Sequence, residues 1–593
     1  MDRQVPVSEA LPAKSCCTPP TFRLESAPNA QTGCKTFVLN ATCNDSIELP
    51  SDYCQTNKPL SVANFRCKGR SPVWLKSSNF HSTFASYLRT IHHPDSQAGK
   101  GASMATRKSP SPAKKRARKH TGGAQSAPAA EVPAFTASTS AATLRVTTNP
   151  VFAEPGFMQD PTLFRTPHAS DSNAYKELDQ LTKLHQFNPL PFRVVQGTTE
   201  PVLKLGAAYG SAGDKVEQAI RQAGQIVFHA AGDTGATTAK PALQDEYNVV
   251  DKMIADFDEK DDTAVPRFYF HLGDVVYSFG EHTYYYDQFY DAFRNYPAPI
   301  FAIPGNHDGL VAPTPPAAGQ TGNPMPGDPS LSLSGFYANF CTLQFQHSND
   351  AAGIARTTMI QPGVYFTLEA PLVRILGIYS NMLENPGVIS STKDPTKNGK
   401  AKFPNIPDVQ LDYLTAALTR VKQEKFKGAV ILAVHHPPYT FGKHVTSLVM
   451  LKEIDAICDK VGVWPHAVFS GHAHNYQRFT RTLGKRQIPY VVCGNGGHPP
   501  LQKISVDTTL RTPITMPGFE QPERGDSVSL DNYDFKSFGY LRVIVDSTQL
   551  RIEFHPEGDG VTTKTPDDFV TVLLADGTLV HYTPPTASIQ NQI

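Results

Sequence analysis

The chain has 593 residues, with 55 lysines and arginines against 54 aspartates and glutamates, and 40% of its residues are hydrophobic. That length and apolar fraction suffice for a substantial core, as several domains or as one large domain with tails. The charge balance excludes a global field drawing the chain to nucleic acid or a membrane surface, and no apolar run approaches the roughly 18 residues that a membrane span needs.

Cys16, Cys17, Cys34, Cys43, Cys54 and Cys67 crowd the N-terminal stretch, and only Cys341, Cys458 and Cys493 follow. The early spacings form no C-x2-C pair, which argues against zinc and leaves the redox compartment open. The three later cysteines read as buried thiols. Asp2, Arg3 and Glu9 interrupt any apolar leader after Met1, so the default expectation is a cytoplasmic chain.

Residues 1–103 are rich in Ser, Pro, Thr and Asn and show no sustained period. They are expected to be a disordered extension, and Met104 offers an alternative start. Residues 104–168 form a linker, first basic and then rich in Ala, Ser and Pro. Its run Lys114-Lys115-Arg116-Ala117-Arg118-Lys119, inside a basic tail over 107–120, suits a nuclear address or a nucleic-acid contact. The Pro/Ser and Ala/Ser/Thr surroundings favour a solvated disordered tail instead.

Order is expected over 169–585. Ser170 or Asp171 can cap a helix in which Tyr175, Leu178, Leu181 and Leu184 recur at helical spacing. A helix is expected over 213–224, and strands alternate with helices from Gln225 onward. Further helices are expected near 243–257, 283–296, 409–422 and 448–461. A Pro/Gly-rich loop runs from Gly309 to Ser334 and is long for a compact domain. Residues 363–380 read as two strands, and 538–554 as a hairpin turning near Asp546-Ser547. Such alternation predicts an α/β fold with helices covering the sheet faces.

Five apolar runs end in polar corners. Ile226-Val227-Phe228 leads to Gly232-Asp233-Thr234-Gly235, and Phe268-Tyr269-Phe270 to Gly273-Asp274. Ile300-Phe301-Ala302-Ile303 leads to Gly305-Asn306-His307-Asp308, Val430-Ile431-Leu432-Ala433-Val434 to His435-His436-Pro437, and Ala467-Val468-Phe469 to Gly471-His472-Ala473-His474. Singly, each is an ordinary turn or a packed histidine. Together, at strand ends where α/β folds collect ligands, they point to one metal site at one sheet edge. Oxygen donors suit hard ions and imidazoles suit zinc and iron. Asp274 is the natural bridge between two cations, which could clamp a phosphate and activate a water. No Gly-x-Ser-x-Gly or C-x-x-C supports a covalent route.

The blocks Asp233-x-Gly235, Gly273-Asp274-x-x-Tyr277, Gly305-Asn306-His307-Asp308, His435-x-Pro437 and Gly471-His472-x-His474 resemble the calcineurin-like metallophosphoesterases. More narrowly they resemble the purple acid phosphatases. Gly235 stands where most relatives place a ligand histidine, and Tyr277 follows the second aspartate by three. The resemblance implies a four-layer αββα sandwich and a tyrosinate on ferric iron. It assigns Asp233, Tyr277 and His474 to the ferric ion and shares Asp274. Asn306, His435 and His472 go to a divalent ion, iron, zinc or manganese. His307 and His444 match positions that contact substrate phosphate or protonate the leaving oxygen, while His436, His229 and His271 read as structural neighbours.

The implied activity is hydrolysis of phosphate monoesters, small-molecule phosphoesters, by in-line attack of a metal-bound hydroxide. Phosphodiester or nucleotide pyrophosphate cleavage at the same site, or a non-catalytic metal-binding role, are the alternatives. Two departures stand out: Gln477 replaces a usual Glu in Asn475-Tyr476-Gln477-Arg478, and no β-sandwich domain is legible before Asp171. The family is often secreted, which sits against the default compartment.

Overall fold

The computed structural model describes residues 147–154, 160–164, 194, 195, 197–236, 242–310, 331–380, 387–394, 398–403, 406–504, 511–521, 524–557, 565–585, 587 and 588, with two N-terminal strands. The chain divides into two units, Met1–Pro133 and Ala134–Ile593. In the first, Arg23–Pro28 pairs antiparallel with Lys35–Asn40, a hairpin within a stretch whose composition suggested no element. The basic run, the helix expected through Tyr175 and Leu184, and most of the loop after Gly309 lie outside the described residues.

The second unit holds two large sheets. The six-stranded one runs in the order Asp568–Leu573, Gln549–Pro556, Gly539–Asp546, Gln225–Ala231, Pro266–His271 and Ile300–Ala302. Its last three strands are parallel, and the Gly539–Asp546 strand joins them antiparallel. The expected hairpin is present: Asp546 Oδ1 accepts from the Thr548 and Gln549 backbone amides and fixes the turn. In the ten-stranded sheet, Ala429–Val434 sits between Val373–Ile378 and Ala467–Ser470, parallel to both. Every residue of Ala429–Val434 is buried, which is why it reads as an unbroken apolar run and not an alternating one.

The sheets pack face to face. Tyr476 stacks on Phe554 with ring centroids 4.0 Å apart, and Phe270 meets Phe366 at 6.2 Å. Helix Ala242–Ala255 lies on the six-stranded side, where Lys252 donates to the Pro556 carbonyl. Helices Val409–Gln423 and Leu448–Val461 cover the ten-stranded side: Gln410 bonds the backbone of Tyr379, and Asp455 pairs with Arg481. The result is the mixed α/β, helix–sheet–sheet–helix arrangement. Among the described residues no helix is long and apolar enough to cross a membrane.

Two expectations are corrected. Residues 283–296 do not form one α-helix: a short 3₁₀ turn, His282–Tyr284, precedes a wider π-turn, Tyr286–Tyr290, closed by Asp291 N donating to Tyr286 O at 2.7 Å. The reason is packing. Tyr284, Tyr285, Tyr286, Phe289, Tyr290 and Phe293 are all buried, so residues 284–293 have no solvent face and the turn widens to seat the rings. The five motif strands also do not share one sheet edge. Three belong to the six-stranded sheet and two to the ten-stranded sheet, and their ends meet across the gap between them.

Candidate metal centre

Backbone bonds tie several of the corners together. Asp233 N donates to Gly273 O at 2.9 Å, Gly232 N to Cys493 O at 2.9 Å, and Gly471 N to His435 O at 3.0 Å. The corners are glycine-rich because they are crowded. A Cβ on Gly273 would lie 2.5 Å from His435 Nδ1, and one on Gly305 would lie 2.1 Å from Asp274 Oδ1. Asp233, Asp274 and His472 hold φ values of 58°, 54° and 68°, a left-handed backbone that non-glycine residues seldom adopt.

Seven side chains converge in two groups. In the first, the Tyr277 hydroxyl lies 3.1 Å from Asp233 Oδ1, 3.2 Å from Asp274 Oδ2 and 3.3 Å from His474 Nε2. In the second, Asn306 Oδ1 lies 3.0 Å from both His435 Nε2 and His472 Nδ1. Asp274 Oδ2 belongs to both, being also 3.2 Å from His435 Nε2. Asp274, His435 and His472 are all buried and their donor atoms all lie within 4.8 Å of one another.

Donor atoms bound octahedrally about 2.1 Å from one cation stand about 3 Å from each other, which is the spacing found here. The chemistry of the set fits as well. Burial holds the His472 and His474 imidazoles well below their ordinary pKa, so their lone pairs are free of protons. Burial raises Asp233 far above the carboxylate range, and it raises Tyr277 too, helped by the Asp233 and Asp274 carboxylates. At Asp274 burial is outweighed by His435 and His307, which hold the carboxyl low, while Asp274 lifts His435 to about 9 against its own burial. So many buried acids and bases cost stability unless a cation joins them.

The two histidines expected to meet substrate, His307 and His444, sit at the rim of this cluster. His307 donates its backbone N–H to Asp274 Oδ1 at 2.8 Å, and its Nδ1 lies 2.8 Å from Ser278 O. His444 is buried, its ring centroid 4.1 Å from that of His472. His436 stands beside His472 but turns Nδ1 to Ser380 Oγ at 2.7 Å. His229 is held by Tyr296 and Asp256, and His271 by Thr234 and the Gly273 amide. Both rings are thus engaged by partners outside the seven.

Three supporting residues were missed in the sequence. Asp308 accepts from the Val275, Val276 and Gly305 amides at 2.9–3.1 Å and shapes the Asp274 corner. Gln288, carried by the π-turn, bonds the backbone N and O of Tyr277 at 2.8 and 2.9 Å. His498 stacks on Tyr277. Asp308 stands inside the block Gly305-Asn306-His307-Asp308 and His498 follows Gly494-Asn495-Gly496-Gly497, but neither was given this role, and Gln288 had no local signal.

Residues 228–476 match the family model of calcineurin-like phosphoesterases. No curated protein matches the chain. The purple acid phosphatase PPD1 from yellow lupin (Lupinus luteus) seeds is similar in structure with TM-score 0.36 and 16% identity, over 59% of this chain and 54% of that one. GAP50, described as the anchor in the inner membrane complex of Plasmodium, is similar with TM-score 0.34 and 10% identity, over 62% and 91%. PhoD is similar with TM-score 0.34 and 11% identity, over 62% and 73%. The chain thus spans about half the length of the lupin phosphatase, and none of the three likenesses is close enough to assign an activity.

Proposed function

We propose that this chain, a metallophosphoesterase through its calcineurin-like domain at residues 228–476, is a phosphatase of the purple acid type that hydrolyses phosphate monoesters. The observation that carries the reading is the Tyr277 hydroxyl, within 3.1–3.3 Å of Asp233, Asp274 and His474. Gly235 supports it. A Cβ there would come 2.5 Å from Val275 O and 2.7 Å from Gln288 Oε1, so the position has no room for a histidine, and Tyr277 supplies the missing donor.

Asp233, Asp274, Tyr277 and His474 would hold a ferric ion, and Asp274, Asn306, His435 and His472 a divalent iron, zinc or manganese. Two such cations supply a polarised phosphoryl oxygen and a water that loses its proton readily. The chain's residues do the rest. His307, anchored through Nδ1 on the Ser278 carbonyl, contacts a phosphate oxygen. His444 contacts phosphate and passes a proton to the departing alcohol oxygen. Asp308 and Gln288 keep the Asp274–Tyr277 corner from relaxing when substrate pulls on it.

A panel of aryl and alkyl phosphomonoesters, bis-aryl phosphodiesters and nucleoside triphosphates, run from pH 4 to pH 8 with wild type and Asp274→Ala, tests the reading. Monoesters should turn over fastest, and Asp274→Ala should abolish turnover. Diesters or triphosphates turning over faster would reassign the substrate within the same site. Hydrolysis that survives in Asp274→Ala would refute the site.

A further inference from the structure

His498 lies beyond the family-matched segment, yet it is the residue most intimately placed on Tyr277. The two rings stack with centroids 3.5 Å apart and planes 12° apart. His498 is itself held twice: its Nδ1 lies 2.6 Å from Gly235 O, and its backbone N donates to Asp233 O at 2.9 Å. Of the other rings beside Tyr277, His307 is tilted by 43° at 4.3 Å and His474 stands edge-on at 6.1 Å, so neither gives flat support. One residue therefore ties the Gly232–Gly235 corner, at two of its carbonyls, to the plane of the phenol.

We propose that His498 is a positioning residue that packs flat on Tyr277, bars the ring from swinging across that face, and so aims its phenol oxygen at Asp233, Asp274 and His474. This rests on the reading of Tyr277 as a ferric ligand. The phenol oxygen stands about 6 Å from its own Cα. A ring swing of about 10° displaces it by about 1 Å, more than the roughly 0.5 Å that a metal or catalytic constellation tolerates. The backbone of Tyr277 is pinned by Gln288, so the remaining freedom is in the side-chain torsions, and a flat ring packed on its face removes it. Supporting groups of this kind are worth about 10-fold or more in metal affinity.

The test uses the full chain with wild type, His498→Ala, His498→Phe, His498→Gln and Tyr277→Phe. In metal-free protein labelled with carbon-13 tyrosine, the Tyr277 resonance is assigned by its absence from Tyr277→Phe. It should lie displaced by the ring current of the stacked imidazole. His498→Ala and His498→Gln should return it toward the other tyrosines, whereas His498→Phe keeps a flat ring and the displacement. After ferric loading, the visible tyrosinate band should shift and ferric affinity fall about 10-fold in His498→Ala and His498→Gln, with His498→Phe near wild type. Should His498→Ala not fold, as judged by its thermal melt, His498→Gln carries the comparison. A ringless variant that keeps the wild-type resonance, band and affinity would overturn the proposal, as would His498→Phe behaving like His498→Gln. Wild type that takes up ferric ion without colour would contradict the tyrosinate reading itself, and the metal-free resonance would then decide His498's role alone.

Discussion

At the scale of single residues, backbone strain and crowding occur together at several of the donors. Three of the seven, Asp233, Asp274 and His472, have left-handed backbone, each costing about 1 kcal/mol or more relative to relaxed geometry. A fold that only needed hydrogen-bonded turns would place glycine at these positions, as it does at Gly273. Tyr277→Phe removes one oxygen and leaves the ring's packing. The variant should fold with a thermal midpoint close to wild type and bind ferric ion without visible colour, as absorption spectroscopy would read. Gly235→Ala drives a methyl against the Val275 carbonyl and Gln288. Overpacking of that kind costs about 1–3 kcal/mol, and because Gln288 holds the Tyr277 backbone, ferric uptake should fall alongside the midpoint in denaturant.

At the scale of elements, the parts that position the site are held by a few buried polar clamps. Arg356 is fully buried and donates to the carbonyls of Phe152, Phe293, Tyr296 and Ala298. It stitches the segment at Phe152 to the end of the aromatic turns and to the approach to strand Ile300–Ala302. Arg356→Leu strands several buried carbonyls at about 1 kcal/mol or more each. A total loss of about 3 kcal/mol or more is expected in equilibrium denaturation, with turnover retained per folded molecule. The elements also show what a linear reading can and cannot see. The five corners were legible because each is an apolar run that stops at Gly-Asp, Gly-Asn-His, His-x-Pro or Gly-His-x-His, a pattern written within a few residues. The split of those strands between two sheets was not, since pairing partners such as Gly539–Asp546 for Gln225–Ala231 lie 300 residues apart in a chain whose local pattern is the same either way. The π-turn at Tyr286–Tyr290 was hidden by a helical apolar period that all-round burial overrides. Gln288 and His498 act through the Tyr277 backbone and ring face, and neither relation leaves a mark at any fixed spacing.

At the scale of the whole molecule, buried acids make stability depend on pH. Glu557, at the end of strand Gln549–Pro556, is raised to about 7 by burial and by the Asp245 carboxylate. Its unfolded value is about 4.5. Between these two the folded chain holds a proton that the unfolded chain has released, so folding is penalised as pH rises through the window. The penalty is absent below about pH 4.5 and complete above about pH 7. Glu557→Gln should therefore be more stable than wild type at pH 8 and equal to it at pH 4, read from denaturant midpoints at the two pH values.

The central claim is that donors from two sheets form one dinuclear centre, sharing Asp274. Anomalous scattering from a crystal of the metal-loaded protein, collected on both sides of the iron edge, tests it most directly. Two peaks are predicted, one bounded by Asp233, Asp274, Tyr277 and His474 and containing iron, the other bounded by Asp274, Asn306, His435 and His472. A single peak, or metal bound only away from Asp274, would contradict the account.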